Sequence, residues 1–500
     1  MILKRFKNFH NYRWFVYFSV WLLLLALCII RASFSVAVIG LVTISADSQV
    51  QTQGSPSDAT CPPKYVNPNI EIEKNTIKYE WTKVQTEVSI FIFNLGYMAG
   101  HLPGTIATLR FGTYCVMVLV IFGCTLLTMM SIYVAPYYWL FVTIRTLIGF
   151  LSGCMYPIVN ETIAEYAPAK ERSLILMFVH TANLMACAII FPVGGYFIQN
   201  FINGWKLVYV TSAVFGLLSG ILWALCGHSN PEENPFMSHK EQDYITKAIY
   251  PKGRPPKKTF YNIPHKKIWT DKQLYLNCLV HYGKLQILYA TLLGVVKYFR
   301  TFFSLSPLES GLYGVIPFLG ESFLQLIYSP LSRLIYRDRI SISQQRKINT
   351  LLGAIGCSAF LFAVGFVNCH HLSAGVALQT MSLMFLAPYQ GGYFVGIVER
   401  YGRYCGYAYS IINIFGSLSG LVQRCIIIFL GFKMDYRPTL QWSFFITAAI
   451  SFACSVPFFV FGDSTRPEWV DAASEKPKIT GHTPIPLYNR NNRPRRVQNI

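Results

Sequence analysis

Charged residues are scarce in this sequence, and acidic residues are the scarcest. Only 13% of the 500 residues are Asp, Glu, Lys or Arg, and 23 acidic residues stand against 43 basic ones, which gives a net charge of +20. A soluble domain carries about 25% charged residues, so the composition excludes a soluble multidomain protein. The basic residues flank apolar runs and do not form one patch, which argues against a nucleic-acid partner.

The sequence also lacks the short motifs of several chemistries. It contains no Gly-x-x-x-x-Gly-Lys phosphate loop, no His-Glu-x-x-His metal pair and no Cys-x-x-Cys pair. We therefore expect neither an enzyme nor a bound cofactor or metal. Most of the 13 cysteines lie in apolar runs. Cys61 and Cys369 lie in predicted loops, and the sequence does not determine whether they form a disulfide.

Long apolar runs occupy most of the chain, of which 53% is hydrophobic. A membrane helix needs roughly 20 mostly apolar residues, and twelve stretches meet this requirement. The first is too long for the apolar region of a cleaved signal peptide, so it is a retained helix. The predicted helices lie at 15–45, 84–108, 113–135, 137–165, 173–200, 206–227, 274–303, 309–333, 348–368, 373–398, 405–431 and 441–462.

Two long connections divide the predicted helices into two groups of six. The sequence predicts an all-α membrane protein with a six-helix bundle at 15–227, which includes a loop at 46–83 outside the cytoplasm, and a second bundle at 274–462. A basic linker at 228–273 joins the bundles. This arrangement is typical of alternating-access transporters built from repeats. The tail, 463–500, is rich in Pro, Asn and Arg and is predicted to be disordered.

The basic residues also predict the orientation in the membrane. They concentrate in the N-terminal segment 1–14, the linker and the tail. Cytoplasmic loops carry the excess of Lys and Arg, so both termini are predicted to be cytoplasmic. The sequence does not distinguish the plasma membrane from an intracellular vesicle membrane.

A few ionisable residues lie well inside the predicted helices. The cations are Arg31, Arg145, Lys284 and Arg424, and the clear anion is Glu321. Each costs at least about 2.5–3.5 kcal/mol at a helix centre, so each needs a partner or a cavity. Four cations against one carboxylate leave an excess of three positive charges. We therefore expect a small anionic ligand in a central cavity.

The five charges and two histidines differ in their expected roles. Arg31 and Arg145 lie deep in their helices and are predicted ligand contacts. Lys284 could assist them or extend toward the interface, and Arg424 could pair structurally. Glu321 is a candidate structural partner or proton carrier. Two histidines, His180 and His281, could also carry protons, although structural histidines are more common.

The helix of Arg145 has a face of small and polar residues. Gly149 and Gly153 have the spacing that permits close helix contact. Arg145, Gly149, Ser152 and Tyr156 fall on one face, which predicts a cavity wall.

Six stretches carry a resemblance to a known family. They are RASFSVAVIGLV (Arg31–Val42), YEW (Tyr79–Trp81), LGYMAGHLPG (Leu95–Gly104), YAPAKERS (Tyr166–Ser173), SNPEENPFMSHKEQDYI (Ser229–Ile245) and NIFGSLSG (Asn413–Gly420). Together they resemble the anion:cation symporter branch of the major facilitator superfamily (MFS), solute carrier family 17. That branch includes vesicular glutamate transporters, sialin and sodium/phosphate cotransporters.

The resemblance implies the MFS fold and a role for three basic residues. Arg31 and Arg145 fall on the family's substrate-binding arginines, and Lys284 falls on its basic residue of helix seven. Ile148 and Ser152 stand where the family has glutamates tied to proton coupling. We therefore expect secondary active transport of organic or inorganic anions, such as carboxylates or phosphate, by alternating access without those glutamates.

Two other functions stay open at this point. Loss of the helix-four acids also fits an uncoupled anion facilitator or channel, and the departures from the family fit a non-transporting receptor or scaffold on the same fold. The substrate, the direction of transport and the coupling ion, Na⁺ or H⁺, are not determined by the sequence. The expected partners are the anion and the lipid bilayer, and a monomer is the expected state.

Overall fold

The computed structural model describes residues 11–44, 72, 75–251, 253, 259–292, 294–336, 339–431, 434 and 436–472. The N-terminal half contains α1 (Tyr12–Leu41), β1 (Val42–Ile44), β2 (Tyr79–Trp81), α2 (Lys83–Val134), α3 (Tyr138–Tyr166), α4 (Ala169–His180), α5 (Ala182–Asn200) and α6 (Gly204–Cys226). The linker contains α7 (His239–Ile249) and α8 (His265–Trp269), with 3₁₀ turns at Pro231–Glu233 and Phe260–Asn262.

The C-terminal half repeats the six-crossing plan. It contains α9 (Lys272–Leu292), α10 (Val295–Phe302), α11 (Pro307–Tyr336), α12 (Ile342–Val364), α13 (Leu372–Met384), α14 (Leu386–Tyr389), a π turn (Gln390–Phe394), α15 (Val395–Tyr401), a 3₁₀ turn (Gly402–Tyr404), α16 (Cys405–Gly431), α17 (Tyr436–Phe461) and α18 (Glu468–Ala472).

The helices make twelve membrane crossings, as the sequence predicts. Eight segments of the described residues are long and apolar enough to cross a bilayer, and two of them, Val84–Val134 and Leu372–Gly431, have 51 and 60 residues, enough for two crossings each. The segments 272–302 and 307–336 carry Lys284 and Glu321 and complete the twelve.

Gly112 ends the first crossing of α2. Its φ is 80°, inside an otherwise continuous helix of 52 residues. Residues with a side chain disfavour this left-handed region, and a Cβ at this position would also lie 2.7 Å from Ser229 Oγ. The chain therefore turns back at Gly112, which agrees with the predicted break between 108 and 113.

Burial follows the position of each helix in the bundle. Helix α1 is apolar on nearly all sides and is buried on nearly all sides. Outward residues such as Leu119, Leu126 and Phe323 expose 64%, 63% and 63% of their surface. In a membrane this exposed apolar surface contacts lipid, so the exposed leucines and phenylalanines need no protein partner.

Helices α2 and α3 pack through glycine at very short range. A Cβ on Gly149 would lie 2.2 Å from the Phe93 carbonyl oxygen, and one on Gly153 would lie 2.1 Å from the Tyr97 carbonyl oxygen. The predicted close contact is therefore present. The prediction of a cavity wall was wrong for Gly149, because this residue packs against the α2 backbone.

The two ends of the bundle are different. At one end, here named the loop end, β1 and β2 pair in parallel, with Val42 opposite Tyr79. The opposite end, here named the linker end, carries α7 and α8. There Glu241 of α7 accepts hydrogen bonds from the backbone N–H groups of Tyr12 (2.9 Å) and Arg13 (3.2 Å). These donors at the start of α1 have no partner within the helix, so the linker caps α1.

The predicted disordered tail begins later than expected. Residues 463–472 belong to the folded protein, because Val470 is fully buried and Trp469 lies against the rings of Tyr401 and Tyr404. The prediction was wrong for this segment, since an aromatic and an apolar side chain of α18 fill the linker end of the C-terminal half. Residues 473–500 lie outside the described residues.

The cysteines separate into free and bonded residues. Eleven cysteines of the described residues are free. Cys369, between α12 and α13 at the loop end, is disulfide-bonded. Cys61, the other loop cysteine of the sequence, lies outside the described residues.

Candidate functional site

A small polar cavity of about 40 Å³ lies between the two halves. Five of the six predicted site residues line it, namely the charged residues Arg31, Lys284 and Glu321 and the histidines His180 and His281. A buried water needs about 10–15 Å³ of such volume, so the cavity in this conformation has room for roughly three water molecules.

Arg31 of α1 lies in a cage of aromatic rings. Its guanidinium carbon is 4.9 Å from the Tyr97 ring centroid, 5.3 Å from that of Tyr289 and 5.5 Å from that of Phe93. Its Nη2 donates a hydrogen bond of 2.9 Å to the Tyr289 hydroxyl. Ring faces stabilise the cation but do not use its N–H donors. The guanidinium therefore keeps donors for the oxygens of a ligand.

Arg145 of α3 lies next to this cage but does not line the cavity. Its guanidinium carbon is 4.4 Å from the Phe34 ring centroid and 5.1 Å from that of Phe93. The side chain is buried, and its Nε has no hydrogen-bond partner among the described residues. Phe93 thus contacts both arginines. In this conformation Arg145 is not in position to touch a ligand in the cavity, and its role as a ligand contact stays a prediction.

Lys284 of α9 and Glu321 of α11 face the cavity from the C-terminal half. Glu321 is 2% exposed and Lys284 9% exposed, and the two charges act on each other. One carboxylate oxygen of Glu321, Oε2, is buried without a hydrogen-bond partner in the described part of the chain. The sequence suggested that Glu321 could be a partner for a cation, and Lys284 is the cation that lines the same cavity from the same half of the protein.

The two predicted histidines are held by neutral polar groups. His281 contacts the Tyr393 hydroxyl through Nδ1 (2.7 Å) and Asn413 Oδ1 through Nε2 (2.9 Å). His180 Nε2 contacts Asn160 Oδ1 at 2.9 Å. Because an amide oxygen accepts, each Nε2 donates, and the Tyr393 hydroxyl donates to the other nitrogen of His281. A neutral ring satisfies His281 completely, which fits a structural role.

Sequence reasoning named Tyr156 for the cavity wall but missed most of the other polar and aromatic residues that complete the cavity. Asn413 of α16 donates a hydrogen bond of 3.1 Å from Nδ2 to the Tyr97 hydroxyl of α2, which joins the two halves. The Tyr156 hydroxyl donates to Asn183 Oδ1 at 3.1 Å. Tyr97 and Asn413 both lie in stretches that resemble the family, and only that resemblance could have identified them as site residues from the sequence. A tyrosine or an asparagine in an apolar helix is uncharged, so the search for buried charges does not find it.

Arg424 has a partner that the sequence argument overlooked. Its Nη1 lies 3.0 Å from Glu87 Oε2, and both side chains are buried. Glu87 lies one turn inside α2, too close to the predicted helix start to be counted as intramembrane. The predicted excess of three positive charges was therefore wrong. Among the described residues it falls to two, from Arg31, Arg145 and Lys284 against Glu321.

The halves meet on the loop-end side of the cavity. The Glu87–Arg424 pair joins α2 to α16 there. Helices α5 and α11 approach so closely that a Cβ on Gly195 would lie 2.7 Å from the Pro307 carbonyl oxygen, and one on Gly311 would lie 2.7 Å from that of Phe191.

The halves also meet on the linker-end side. Thr105 Oγ1 of α2 lies 2.5 Å from Ser410 Oγ of α16. Gln325 of α11 donates a hydrogen bond of 2.9 Å to the Met177 carbonyl of α4. In the described part of the chain the two halves therefore contact each other on both sides of the cavity.

Two six-crossing halves around a charged cavity define a membrane transport protein. The family described as Major Facilitator Superfamily matches residues 13–423, and the chain belongs to this family. Human sialin is 24% identical over 450 residues, which cover 88% of this chain and 87% of sialin. Vesicular glutamate transporter 1 of Bos taurus is 24% identical over 397 residues, which cover 78% of this chain and 70% of that protein.

The fold is also similar to that of solved transporters. The proton:xylose symporter XylE bound to 6-bromo-6-deoxy-D-glucose has a TM-score of 0.63 at 14% identity, with 93% of this chain and 100% of that chain covered. These comparisons confirm the predicted fold and the resemblance to the sialin and vesicular glutamate transporter branch. They also show that the chain belongs to a transporter family. The roles of individual site residues stay predictions.

Proposed function

We propose that this protein is a secondary active transporter of small organic or inorganic anions that works by alternating access. The observation that carries the proposal is the composition of the cavity wall, where Arg31 and Lys284 face a single carboxylate, Glu321, among the described lining residues. A buried site with more cations than anions is stabilised by an anionic ligand. The relatives named sialin and vesicular glutamate transporter 1 support this class of substrate.

Arg31 is the proposed main contact for the anionic group. Its single hydrogen bond within the described residues goes to a neutral hydroxyl, that of Tyr289. A guanidinium binds carboxylate or phosphate through two parallel N–H donors. Lys284 would add a second positive charge from the opposite half of the protein. An anion held between them would therefore draw the two halves together.

Arg145 is proposed to join the site in another conformation. It shares the Phe93 ring with Arg31, so its guanidinium lies one aromatic ring away from the cage. A movement of the Phe93 ring when the loop end opens would bring the Arg145 donors toward the ligand. Arg145 would then bind the ligand in that conformation, although it lies outside the cavity in this one.

The contacts between the halves on the two sides of the cavity define the proposed transport cycle. Opening on the loop-end side requires separation of Glu87 from Arg424, and opening on the linker-end side requires separation of Thr105 from Ser410. Each set of contacts joins one half to the other, so rocking of the halves can break one set while keeping the other. Alternate opening would expose the cavity first to one side of the membrane and then to the other.

The proposed transport does not use an acid on α3. Ile148 and Ser152 are both 1% exposed. Cys124 Sγ lies 3.8 Å from the Ile148 carbonyl oxygen and 3.7 Å from Ser152 Oγ, so both positions face the second crossing of α2. Neither lines the cavity. Any proton coupling must therefore involve another residue.

We propose that the linker end faces the cytoplasm, in the plasma membrane or in a vesicle membrane. Disulfides persist in oxidising compartments and are rare in the cytosol, and the disulfide-bonded Cys369 is at the loop end. The basic linker is at the other end, in agreement with the positive-inside rule. Both criteria give the same orientation, with both termini cytoplasmic.

Uptake into proteoliposomes tests the proposal. Labelled glutamate, N-acetylneuraminate, phosphate and sulfate are offered with pH and Na⁺ gradients varied independently. Arg31→Ala and Lys284→Ala are expected to lower uptake of the transported anion at least tenfold. Arg110→Ala is the control, because Arg110 is exposed at the linker end. Normal uptake by both cavity variants would refute the binding site.

The same assay separates the two alternative functions. A facilitator or channel equilibrates the anion but does not accumulate it against a gradient. A receptor or scaffold binds the anion without flux. The described contacts join the two halves on both sides of the cavity, which favours a carrier over a continuous channel.

A further inference from the structure

Glu321 is the one carboxylate among the described residues that line the cavity. It lies in the middle of α11 and is 2% exposed, and its Oε2 has no hydrogen-bond partner in the described part of the chain. A buried carboxylate oxygen without a donor is costly when ionised. A proton on this oxygen would remove that cost, so the position is suited to bind and release a proton.

The charged and titratable groups around Glu321 come from four other helices. Lys284 of α9 is the opposing charge that acts on Glu321, and the Cys357 thiol of α12 also acts on the pair. His180 of α4 and Arg31 of α1 face the same cavity from the N-terminal half. Of these, only Lys284 offers Glu321 direct charge compensation from the same half.

Lys284 therefore has two competing partners. In the empty cavity its ammonium compensates Glu321, and in the loaded cavity it is a predicted contact for the anion. When an anion occupies Lys284, the Glu321 carboxylate loses its compensating charge in a desolvated site. The carboxylate then binds a proton more readily. When the anion leaves, Lys284 returns to Glu321 and the proton is released.

We propose that Glu321 carries the coupled proton of this transporter, by exchanging with the anion as the partner of Lys284. The inference rests on the proposed anion transport and specifies its coupling. The carrier takes up one anion and one proton on one side and releases both on the other. For a monovalent anion the cavity keeps a net charge of plus one in both the empty and the loaded state, counted over Arg31, Lys284 and Glu321. The transport of such an anion is therefore electroneutral.

In this scheme neither the proton nor the anion is carried well across the membrane without the other. A proton without the anion leaves Arg31 and Lys284 as two uncompensated cations in the closed cavity. An anion without the proton must share the Lys284 ammonium with an ionised Glu321. Both half-loaded states are disfavoured, and this is the physical basis of coupling. In this scheme the proton binds to the C-terminal half, away from Ile148 and Ser152 of the N-terminal half.

The test uses proteoliposomes that contain the full-length protein and the pH dye pyranine. Wild type is expected to acidify the lumen when the transported anion from the four-anion panel is added outside, and uptake should not respond to a K⁺/valinomycin potential if the anion is monovalent. Glu321→Gln should lose the acidification and the stimulation by an inward proton gradient. Exchange of labelled for unlabelled anion, which does not need the return of an empty carrier, should persist in this variant even though net proton-coupled uptake is lost.

Glu309→Gln is the matched control, because Glu309 is an exposed carboxylate on the same helix, twelve residues before Glu321. It should retain acidification. Acidification by Glu321→Gln at the wild-type ratio of protons to anions would overturn the inference. Anion uptake by wild type without any proton entry would overturn the coupling and leave the proposed transport intact. Absence of uptake for all four anions would count against both.

An infrared difference spectrum provides a readout that does not depend on flux. Addition of the anion to wild-type protein should produce the carbonyl band of a protonated carboxyl group, and Glu321→Gln should lack this band. Glu321→Asp keeps a titratable group and should restore the band and the acidification in part. An unchanged band in Glu321→Gln would assign the proton to another residue and refute the proposal.

Discussion

Arg424 of α16 and Glu87 of α2 form a buried ion pair of 3.0 Å between the two halves of the protein. The residues are 337 positions apart in the chain. Arg424 is 3% exposed and Glu87 is 7% exposed, so the pair is shielded from solvent. It is both a structural contact and part of the closure of the loop end.

Removal of the Glu87 charge is expected to destabilise the protein. In Glu87→Gln the buried Arg424 guanidinium loses the carboxylate that lies 3.0 Å from its Nη1, and removal of one member of a buried ion pair costs about 3–5 kcal/mol. Thermal unfolding in detergent should show a lower Tm. Glu233→Gln serves as a control because Glu233 is exposed in the linker. The charge-swapped double variant Glu87→Arg/Arg424→Glu should recover part of the loss, and a Tm equal to wild type in the single variant would contradict the ion pair.

Substitution of Gly153 is expected to disturb the packing of α2 on α3. The Cβ of Gly153→Ala would lie 2.1 Å from the Tyr97 carbonyl oxygen, so the helices must separate. Overpacking of this kind costs typically 1–3 kcal/mol. Gly431→Ala is a matched control, since a Cβ there meets nothing within 4 Å. A Tm drop in Gly153→Ala with no drop in Gly431→Ala is the expected result, and equal Tm values would argue against the close contact.

Arg31 and Tyr289 are expected to respond differently to conservative substitution. Arg31→Lys keeps the charge but loses the two parallel donors, and we expect about tenfold weaker anion binding. Tyr289→Phe keeps the ring near Arg31 and removes only the hydroxyl that accepts its hydrogen bond. Anion binding should then be unchanged or tighter, because the freed donor is available to the ligand. Titration with the transported anion measures both, and weaker binding by Tyr289→Phe would mean that the hydroxyl itself contacts the ligand.

Glu241 of the linker is expected to stabilise the N-terminal half. Its carboxylate accepts the backbone N–H groups of Tyr12 and Arg13, and loss of a helix N-cap costs about 0.5–2 kcal/mol. Glu241→Ala should lower the Tm by a few degrees. Asp243→Ala, an exposed acidic position on the same helix, should leave the Tm unchanged. Release of the linker should also appear as faster proteolysis at 227–271, and an unaltered digestion pattern would show that the cap does not hold the linker.

The sequence predicted the crossings well because the bilayer imposes a length on every apolar run. The predicted positions of the helix ends were less accurate. Helix α12 begins at Ile342, six residues before the predicted start at 348, and α17 begins at Tyr436 where 441 was predicted. In both cases the helix begins in polar residues that precede the apolar run, and hydropathy does not show where such a helix begins.

The candidate site was predicted in part. Charge inside an apolar helix identified Arg31, Lys284 and Glu321, and the structure places all three on one cavity. The same signal selected Arg145, which the structure places against Phe34 and Phe93 instead. The cost of burying a charge reveals that a residue needs a special environment. It does not reveal whether that environment is a cavity, an ion pair or an aromatic ring.

The sequence by itself determined the membrane class, the twelve crossings, the two halves and the list of intramembrane charges, because these depend on local composition. Only the tertiary structure decided how those charges are used. It paired Arg424 with Glu87, set Lys284 and Glu321 on one cavity and enclosed Arg31 in aromatic rings. Each of these arrangements brings together side chains from different helices. The packing of the helices around the cavity, and not any local pattern, sets which side chains meet.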